Sequence, residues 1–397
     1  MKFRLFSLAL LPLLFVGSAF AVCRDASSPL TALLAYGNDD GKKTPLILIH
    51  GHQAVNANED VTVDANYWNA FLAAFQNDSA ASAKFTPYLF QYCSDREPVA
   101  KIAEQLRDAI DAKLKDRQHV IVAHSLGGLV ATSYMAETTH ASGTWKGKRG
   151  GDTVLGVITL ATPHHGTPGA NDASTMSKFV PRSLSAAYDA MHRIYWRSGP
   201  LPTAANRSDL RWDNYDGKLP ASSKDINSAQ AKRNAAFAQF TSKLIAYAGA
   251  VDSTLDTFEL ASLLLQLKLG NSSSDDHSKL SLANVGLVNA LGNKFGNADG
   301  LVPQVSGLFC RAGSTAIKRK NYICTSTSRV RRFEFGTEGS VPAADLPDAN
   351  TLSIIRTARG FDHLNMLTNS DVLKHVLADI GSMLKPNTRQ TLPTRTN

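Results

Sequence analysis

Between the apolar run His119-Val120-Ile121-Val122-Ala123 and a helix-compatible stretch from Leu126 to Ala136 lies the short segment Ala123-His124-Ser125-Leu126-Gly127-Gly128. A serine here stands where a buried strand must turn at once into a helix. Such a hydroxyl is a poor nucleophile unless a tight turn exposes it, a base takes its proton and backbone donors receive an oxyanion. Ala123 and Gly127 are small, which lets strand and helix approach closely around the turn. Glycine is the usual residue at the place of Ala123, and one added methyl should still fit. The beginning of a helix just after Ser125 also favours developing negative charge. The plainer alternative, a serine that only caps a helix, is countered by the strand before it and the helix after it.

The rest of the chain repeats this alternation. Pro45-Leu46-Ile47-Leu48-Ile49 is a continuous β-type run closed by His50-Gly51, and it reads as a buried strand. Tyr67, Trp68, Phe71, Leu72 and Phe75 follow helical spacing, and Phe85 to Tyr92 reads as strand. Val99, Ile102, Leu106, Ile110 and Leu114 mark an amphipathic helix. Val154 to Leu160 and Leu244 to Ala248 read as further strands, with a helix around Asn234 to Phe240. The pattern predicts an α/β fold with a mostly parallel sheet and helices on both faces. Residues from about Thr167 to Lys224, and an apolar stripe from Phe258 to Leu269 within about 255–296, interrupt it as a cap inserted on the sheet.

At the N-terminus, Lys2 and Arg4 precede an apolar run from Leu5 to Val16 and then Ser18-Ala19-Phe20-Ala21. This is the pattern of a secretory signal peptide spanning 1–21, with cleavage after Ala21. The run is shorter than the roughly 20 residues that a membrane span needs. Val22 before Cys23 argues against a lipid anchor, so secretion or periplasmic residence is expected. No other segment is long and apolar enough to cross a bilayer. The folded domain is expected over 22–384, followed by a disordered tail over 385–397 rich in Pro, Thr, Arg and Asn.

The formal charge of +8 would permit binding to an anionic surface, but the basic residues are scattered apart from Lys318-Arg319-Lys320 and Arg329 to Arg332. Those clusters read as solvated surface, and nucleic acid is not an expected partner. Cys23, Cys93, Cys310 and Cys324 remain after export, and an even count in an oxidising compartment implies two disulfides. Of the three pairings that four cysteines allow, the short loop favours Cys310 with Cys324, leaving Cys23 with Cys93. No cysteine spacing suits a metal.

Leu46-Ile47-Leu48-Ile49-His50-Gly51-His52 forms a second signature upstream of the serine, and Leu160-Ala161-Thr162-Pro163-His164-His165-Gly166-Thr167 a third beyond it. With these in order, the chain resembles the secreted bacterial lipases of the α/β-hydrolase superfamily from about Pro45 to Leu384. The resemblance implies Ser125 as nucleophile, with the backbone N–H groups of His52 and Leu126 forming the oxyanion hole. His50, His164 and His165 are read as hydrogen-bonded scaffold, since neighbours on an extended chain point to opposite sides.

Asn297-Ala298-Asp299-Gly300-Leu301-Val302-Pro303 resembles the acid-bearing turn of that family, which favours Asp299 over its rival Asp252. Phe361-Asp362-His363-Leu364-Asn365 then supplies the base, His363, at the opening of the last amphipathic helix. His277 precedes Asp299 and His375 lies inside that helix, so both fit worse. Some relatives hold structural calcium through an aspartate close after the catalytic histidine. Asn365 stands at that place here, which argues against calcium, and no cofactor is expected.

The implied activity is hydrolysis of carboxylic esters with hydrophobic acyl chains, with a lipid or other apolar ester as partner and a lipid–water interface as its setting. Two other readings stay open at this level. One is the same chemistry on a polyester or a phospholipid, and the other is a catalytically silent scaffold that only binds. The complete Ser, Asp, His set in the required order argues against the silent scaffold.

Overall fold

The computed structural model of the 397-residue chain describes residues 31–51, 67–94, 97–114, 116–167, 209–210, 228–249, 298–299, 301–312, 322–323, 331–336, 352–356 and 362–384. The expected signal peptide, the tail, His52, Asp252, His277, Cys23 and Cys324 lie outside these residues. So does the expected cap, apart from Thr167, Asp209 and Leu210.

The strands are β1 (Ala32–Ala35), β2 (Thr44–Ile49), β3 (Phe85–Gln91), β4 (His119–His124), β5 (Val154–Leu160), β6 (Leu244–Gly249), β7 (Arg311–Ala312), β8 (Tyr322–Ile323), β9 (Arg331–Gly336) and β10 (Leu352–Arg356). The helices are α1 (Asn69–Asn77), α2 (Ser79–Ser82), α3 (Val99–Leu114), α4 (Leu126–Glu137), α5 (Gly150–Thr153), α6 (Ser228–Phe237), α7 (Gln304–Gly307), α8 (Asn365–Thr368) and α9 (Ser370–Ser382). Eight strands form one sheet in the order β1-β3-β2-β4-β5-β6-β9-β10. Only the edge strand β1 runs antiparallel to its neighbour; every other pair is parallel. This is the α/β-hydrolase sheet.

The central strands are apolar throughout because both of their faces are covered. Ile47, Ile49, Ile121, Ala123, Val157 and Ala246 turn to one side, where α3, α4 and α6 bury Ile102, Leu106, Ile110, Leu129, Val130 and Phe237 against them. Leu46, Leu48, Val120, Val122, Ile158 and Ile245 turn to the other side. There α1 contributes Phe71, Leu72 and Phe75, and α9 contributes Val372, Leu373, Val376 and Ile380. Each buried side chain of this size contributes about 1.5–3 kcal/mol relative to exposure. Helix α4 is buried from Leu126 through Ala136. It lacks a polar face because α3 and α6 pack around it while its other side meets the sheet.

The strand order reverses at β2. The helix that follows β2 packs on one face of the sheet and the helix that follows β4 packs on the other, so a crevice opens beyond the carboxyl ends of these neighbouring strands. The turns His50-Gly51 and His124-Ser125 both lie there.

Two local readings of the sequence need correction. The helix expected around Asn234 to Phe240 is α6, which ends at Phe237 and passes into a 3-10 turn over Ala238–Lys243. The last helix does not open at His363. A short α8 begins at Asn365, and Asn369 breaks the run by capping α9 through its side chain, which accepts from the N–H groups of Asp371 and Val372. Arg331 and Arg332 open a strand that the sequence reading did not mark, β9, between β6 and β10.

Candidate active site

Ser125 sits between β4 and α4 with φ 54° and ψ −128°, a backbone conformation that side-chain-bearing residues avoid and that costs about 1–3 kcal/mol. Its N–H donates to the Leu160 carbonyl at 2.9 Å, which holds the strained turn against β5. The side chain is half-buried and does not cap α4. Leu126 begins the helix, so its N–H has no carbonyl one turn earlier to accept it. That free direction is what an oxyanion donor requires.

Glycine is forced around this turn by close approach. A Cβ at Gly127 would collide with the carbonyl oxygens of both Ile49 and His50, so α4 starts directly against the end of β2. A Cβ at Gly51 would lie 2.7 Å from the Cβ of Ser125. The two turns are therefore in contact.

Asp299 is buried, and its carboxylate is fully engaged. Oδ1 accepts from the N–H groups of Leu301 at 2.9 Å and Val302 at 2.7 Å, while Oδ2 lies 2.8 Å from Nδ1 of His363. The His363 N–H also donates to the Asp299 carbonyl at 2.9 Å. Because a carboxylate only accepts, Nδ1 of His363 carries the proton and Nε2 is left as the basic nitrogen of the neutral ring. Beyond it, Asp362 Oδ1 accepts from the N–H groups of Leu364 and Asn365, both at 2.8 Å, which closes the turn into α8. The Asn365 side chain donates to Asp362 Oδ2 at 3.2 Å.

The ring of His363 lies 4.6 Å, centroid to centroid, from that of His124, the residue before the serine. Sequence reasoning gave His124 no role of its own and read Tyr67 only as part of a helix face. Here Tyr67 O lies 2.5 Å from His124 Nδ1, and His124 Nε2 lies 2.9 Å from the His363 carbonyl. Burial, with the nearby His363 second, holds the His124 pKa well below the usual histidine range. No local pattern marks either residue, because their partners are distant in sequence.

The other histidines that the sequence singled out are engaged in the scaffold. His50 is buried, stacks on Tyr92 with centroids 4.1 Å apart, and donates from Nδ1 to the Gly51 carbonyl at 2.8 Å. His164 Nε2 lies 3.2 Å from Thr159 Oγ1, and His165 Nε2 donates to the Cys310 carbonyl. His375 lies within α9, away from the serine turn in sequence and element. Cys93 and Cys310 are buried, and neither is a free thiol.

The family described as "Putative serine esterase (DUF676)" matches residues 42–196, a stretch that contains β2, β4 and the Ser125 turn. No curated protein matches this chain. Among solved structures it is similar to the Bacillus licheniformis lipase BlEst2 in its mature form, at 14% identity and a TM-score of 0.42, covering 88% of this chain and 98% of that one. It is also similar to the phospholipase PlaB from Legionella pneumophila, at 13% identity and 0.38, covering 68% of this chain and 47% of that one. A thermophilic esterase from Thermogutta terrifontis is similar at 10% identity and 0.35, with 92% and 98% covered. The family match falls on the strand, turn and helix that hold Ser125, and the sheet around that turn has the strand order described above. Over residues 42–196 the chain is similar to a serine esterase family, and its sheet is that of the α/β-hydrolase fold.

Proposed function

We propose that the chain is an exported carboxylic ester hydrolase for substrates with hydrophobic acyl chains, with Ser125 as nucleophile, His363 as general base and Asp299 as its orienting acid. The observation that carries this reading is the double link between Asp299 and His363, whose ring lies 4.6 Å from that of His124, the residue before the strained Ser125 turn. His363 Nε2 takes the proton of Ser125 as the hydroxyl attacks the ester carbonyl. The amides of Leu126 and His52 receive the oxyanion, the alcohol leaves with the proton from His363, and water activated by the same nitrogen releases the acid. The reaction needs no metal or organic cofactor.

Export follows from the pattern over 1–21, and it supports the pairing of Cys23 with Cys93 and Cys310 with Cys324. The apolar stripe within 255–296, with the segment about 167–224, is the proposed cap that selects an apolar acyl chain at a lipid–water interface.

The test is a chain-length series of 4-nitrophenyl esters, with triglyceride emulsions, phospholipid vesicles and polyester films in parallel, on wild type and Ser125→Ala. Turnover that rises with acyl length and vanishes in Ser125→Ala is expected, together with Ser125-dependent labelling by a fluorophosphonate. Preference for phospholipid or polyester would move the substrate, and no hydrolysis with no labelling would leave a binding scaffold.

A further inference from the structure

We infer that Tyr67 and His124 form a positioning bridge that ties the turn after β2 to the segment holding His363, and so sets the base against Ser125. The inference rests on the proposed role of His363. It starts from three hydrogen bonds in series. Gly51 N–H reaches Tyr67 O at 2.8 Å, Tyr67 O lies 2.5 Å from His124 Nδ1, and His124 Nε2 lies 2.9 Å from the His363 carbonyl oxygen.

Each bond has only one direction available. A carbonyl oxygen cannot donate, so His124 Nε2 carries the proton. In a neutral imidazole the other nitrogen then accepts, so the Tyr67 hydroxyl donates to Nδ1. Its lone pair is left for the Gly51 N–H, which can only donate. A second proton on His124 would put two donors face to face at Tyr67, and full burial of the ring disfavours that charged form.

The bridge joins residues far apart in the chain. His124 and His363 are separated by 239 positions, and Tyr67 and His124 by 57. The side chain of the residue that immediately precedes Ser125 is thus bonded to the backbone of the proposed base residue. The far end of the bridge is Gly51, whose missing side chain leaves room for both the Tyr67 hydroxyl and Ser125. A half-buried tyrosine and a fully buried histidine with no purpose beyond packing would leave polar atoms to satisfy at a cost. Here the series of bonds ends on the Gly51 N–H at one side and on the His363 carbonyl at the other.

The bridge touches no reacting atom, so its loss should change geometry rather than substrate binding. A misplacement of about 1 Å can cost about 10²-fold in rate, and a loosened bridge should cost roughly tenfold. The experiment measures kcat and KM for 4-nitrophenyl butyrate, and the rate of fluorophosphonate labelling, in wild type, Tyr67→Phe, His124→Gln, the double variant and Tyr134→Phe. Tyr134 loses a buried hydroxyl that contacts His119 and Thr153 at the opposite end of the strands, and serves as the packing control.

The expected result is a roughly tenfold fall in kcat for Tyr67→Phe and for His124→Gln with KM within about twofold. Glutamine can still donate to the His363 carbonyl, so both variants break the same link and the double variant should lose no more than the worse single one. Tyr134→Phe should keep its kcat. Unchanged kcat in the folded single variants, losses that multiply in the double, or an equal loss in Tyr134→Phe would each overturn the bridge while leaving an active, Ser125-labelled wild type in place. A wild type that neither hydrolyses the ester nor takes the label would overturn the proposed function and the bridge together.

Discussion

Asp299 and His363 are joined twice, once through carboxylate and imidazole at 2.8 Å and once through the His363 N–H and the Asp299 carbonyl at 2.9 Å. The second bond fixes where the ring begins and the first fixes how it is turned. A carboxylate that also accepts two backbone amides has no freedom to follow the ring elsewhere. Asp299→Asn keeps the size of the side chain and both backbone links, but an amide can present a donor to Nδ1. We expect kcat to fall roughly 10³- to 10⁴-fold with the wrong tautomer of His363 favoured. Steady-state kinetics beside Asp252→Asn decide the matter, since a larger loss in Asp252→Asn would move the acid there.

The strain at Ser125 predicts a trade between stability and turnover. Glycine reaches φ 54° without the penalty that serine bears, so Ser125→Gly should be more stable than wild type by about 1 kcal/mol and inactive. Urea unfolding of the two proteins measures this. A less stable glycine variant would mean that the Ser125 side chain itself contributes to holding the turn.

Close packing at Gly127 predicts the opposite sign. Alanine there must push back the carbonyls of Ile49 and His50, and β2 is paired on both sides and cannot retreat. Gly127→Ala should lose about 3 kcal/mol, and its remaining folded fraction should be impaired in turnover. A variant with wild-type stability would show that α4 can shift along the sheet.

Histidine burial makes the protein sensitive to mild acid. His119 is buried at the start of β4, and its pKa is pushed down to about 3 by burial, with His140 and Lys243 adding to the effect. The unfolded chain binds this proton near pH 6.5, the folded chain only near 3. Its contribution is therefore fully present above pH 6.5 and is lost as the pH falls toward 3, at about 1.4 kcal/mol per pH unit in between. His119→Gln should flatten the fall in unfolding free energy between pH 6 and 4 by about that slope, one proton's worth. An unchanged slope would mean that His119 is already charged in the folded protein.

Much of this architecture was legible in the sequence. The runs at Leu46 to Ile49 and Val120 to Ala123 are apolar at every position, and only strands covered on both faces need that. Ser125 was legible from its setting, because a strand that ends in a helix leaves few conformations for the residue between. The pairing of Asp299 with His363 was expected from motif resemblance, and the geometry brings the two together. What escaped were features without a local period. β1 is four residues long, and β9 opens with Arg331 and Arg332, so no apolar run marks it as a strand. His124 and Tyr67 escaped because a bridge between distant turns leaves no spacing to read.

The placement of α9 bears on the order in which the proposed site is assembled. Ser125, the proposed nucleophile, is translated early, whereas Asp299 and His363 arrive more than a hundred residues later, and α9 seats on the face of the sheet that carries α1. A growing chain can bury Ser125 in a formed strand and helix while it still has neither base nor acid. Under the proposed triad, such a chain lacks its base and acid throughout most of synthesis, and the site is complete only once the C-terminal segment that carries His363 has packed on the sheet.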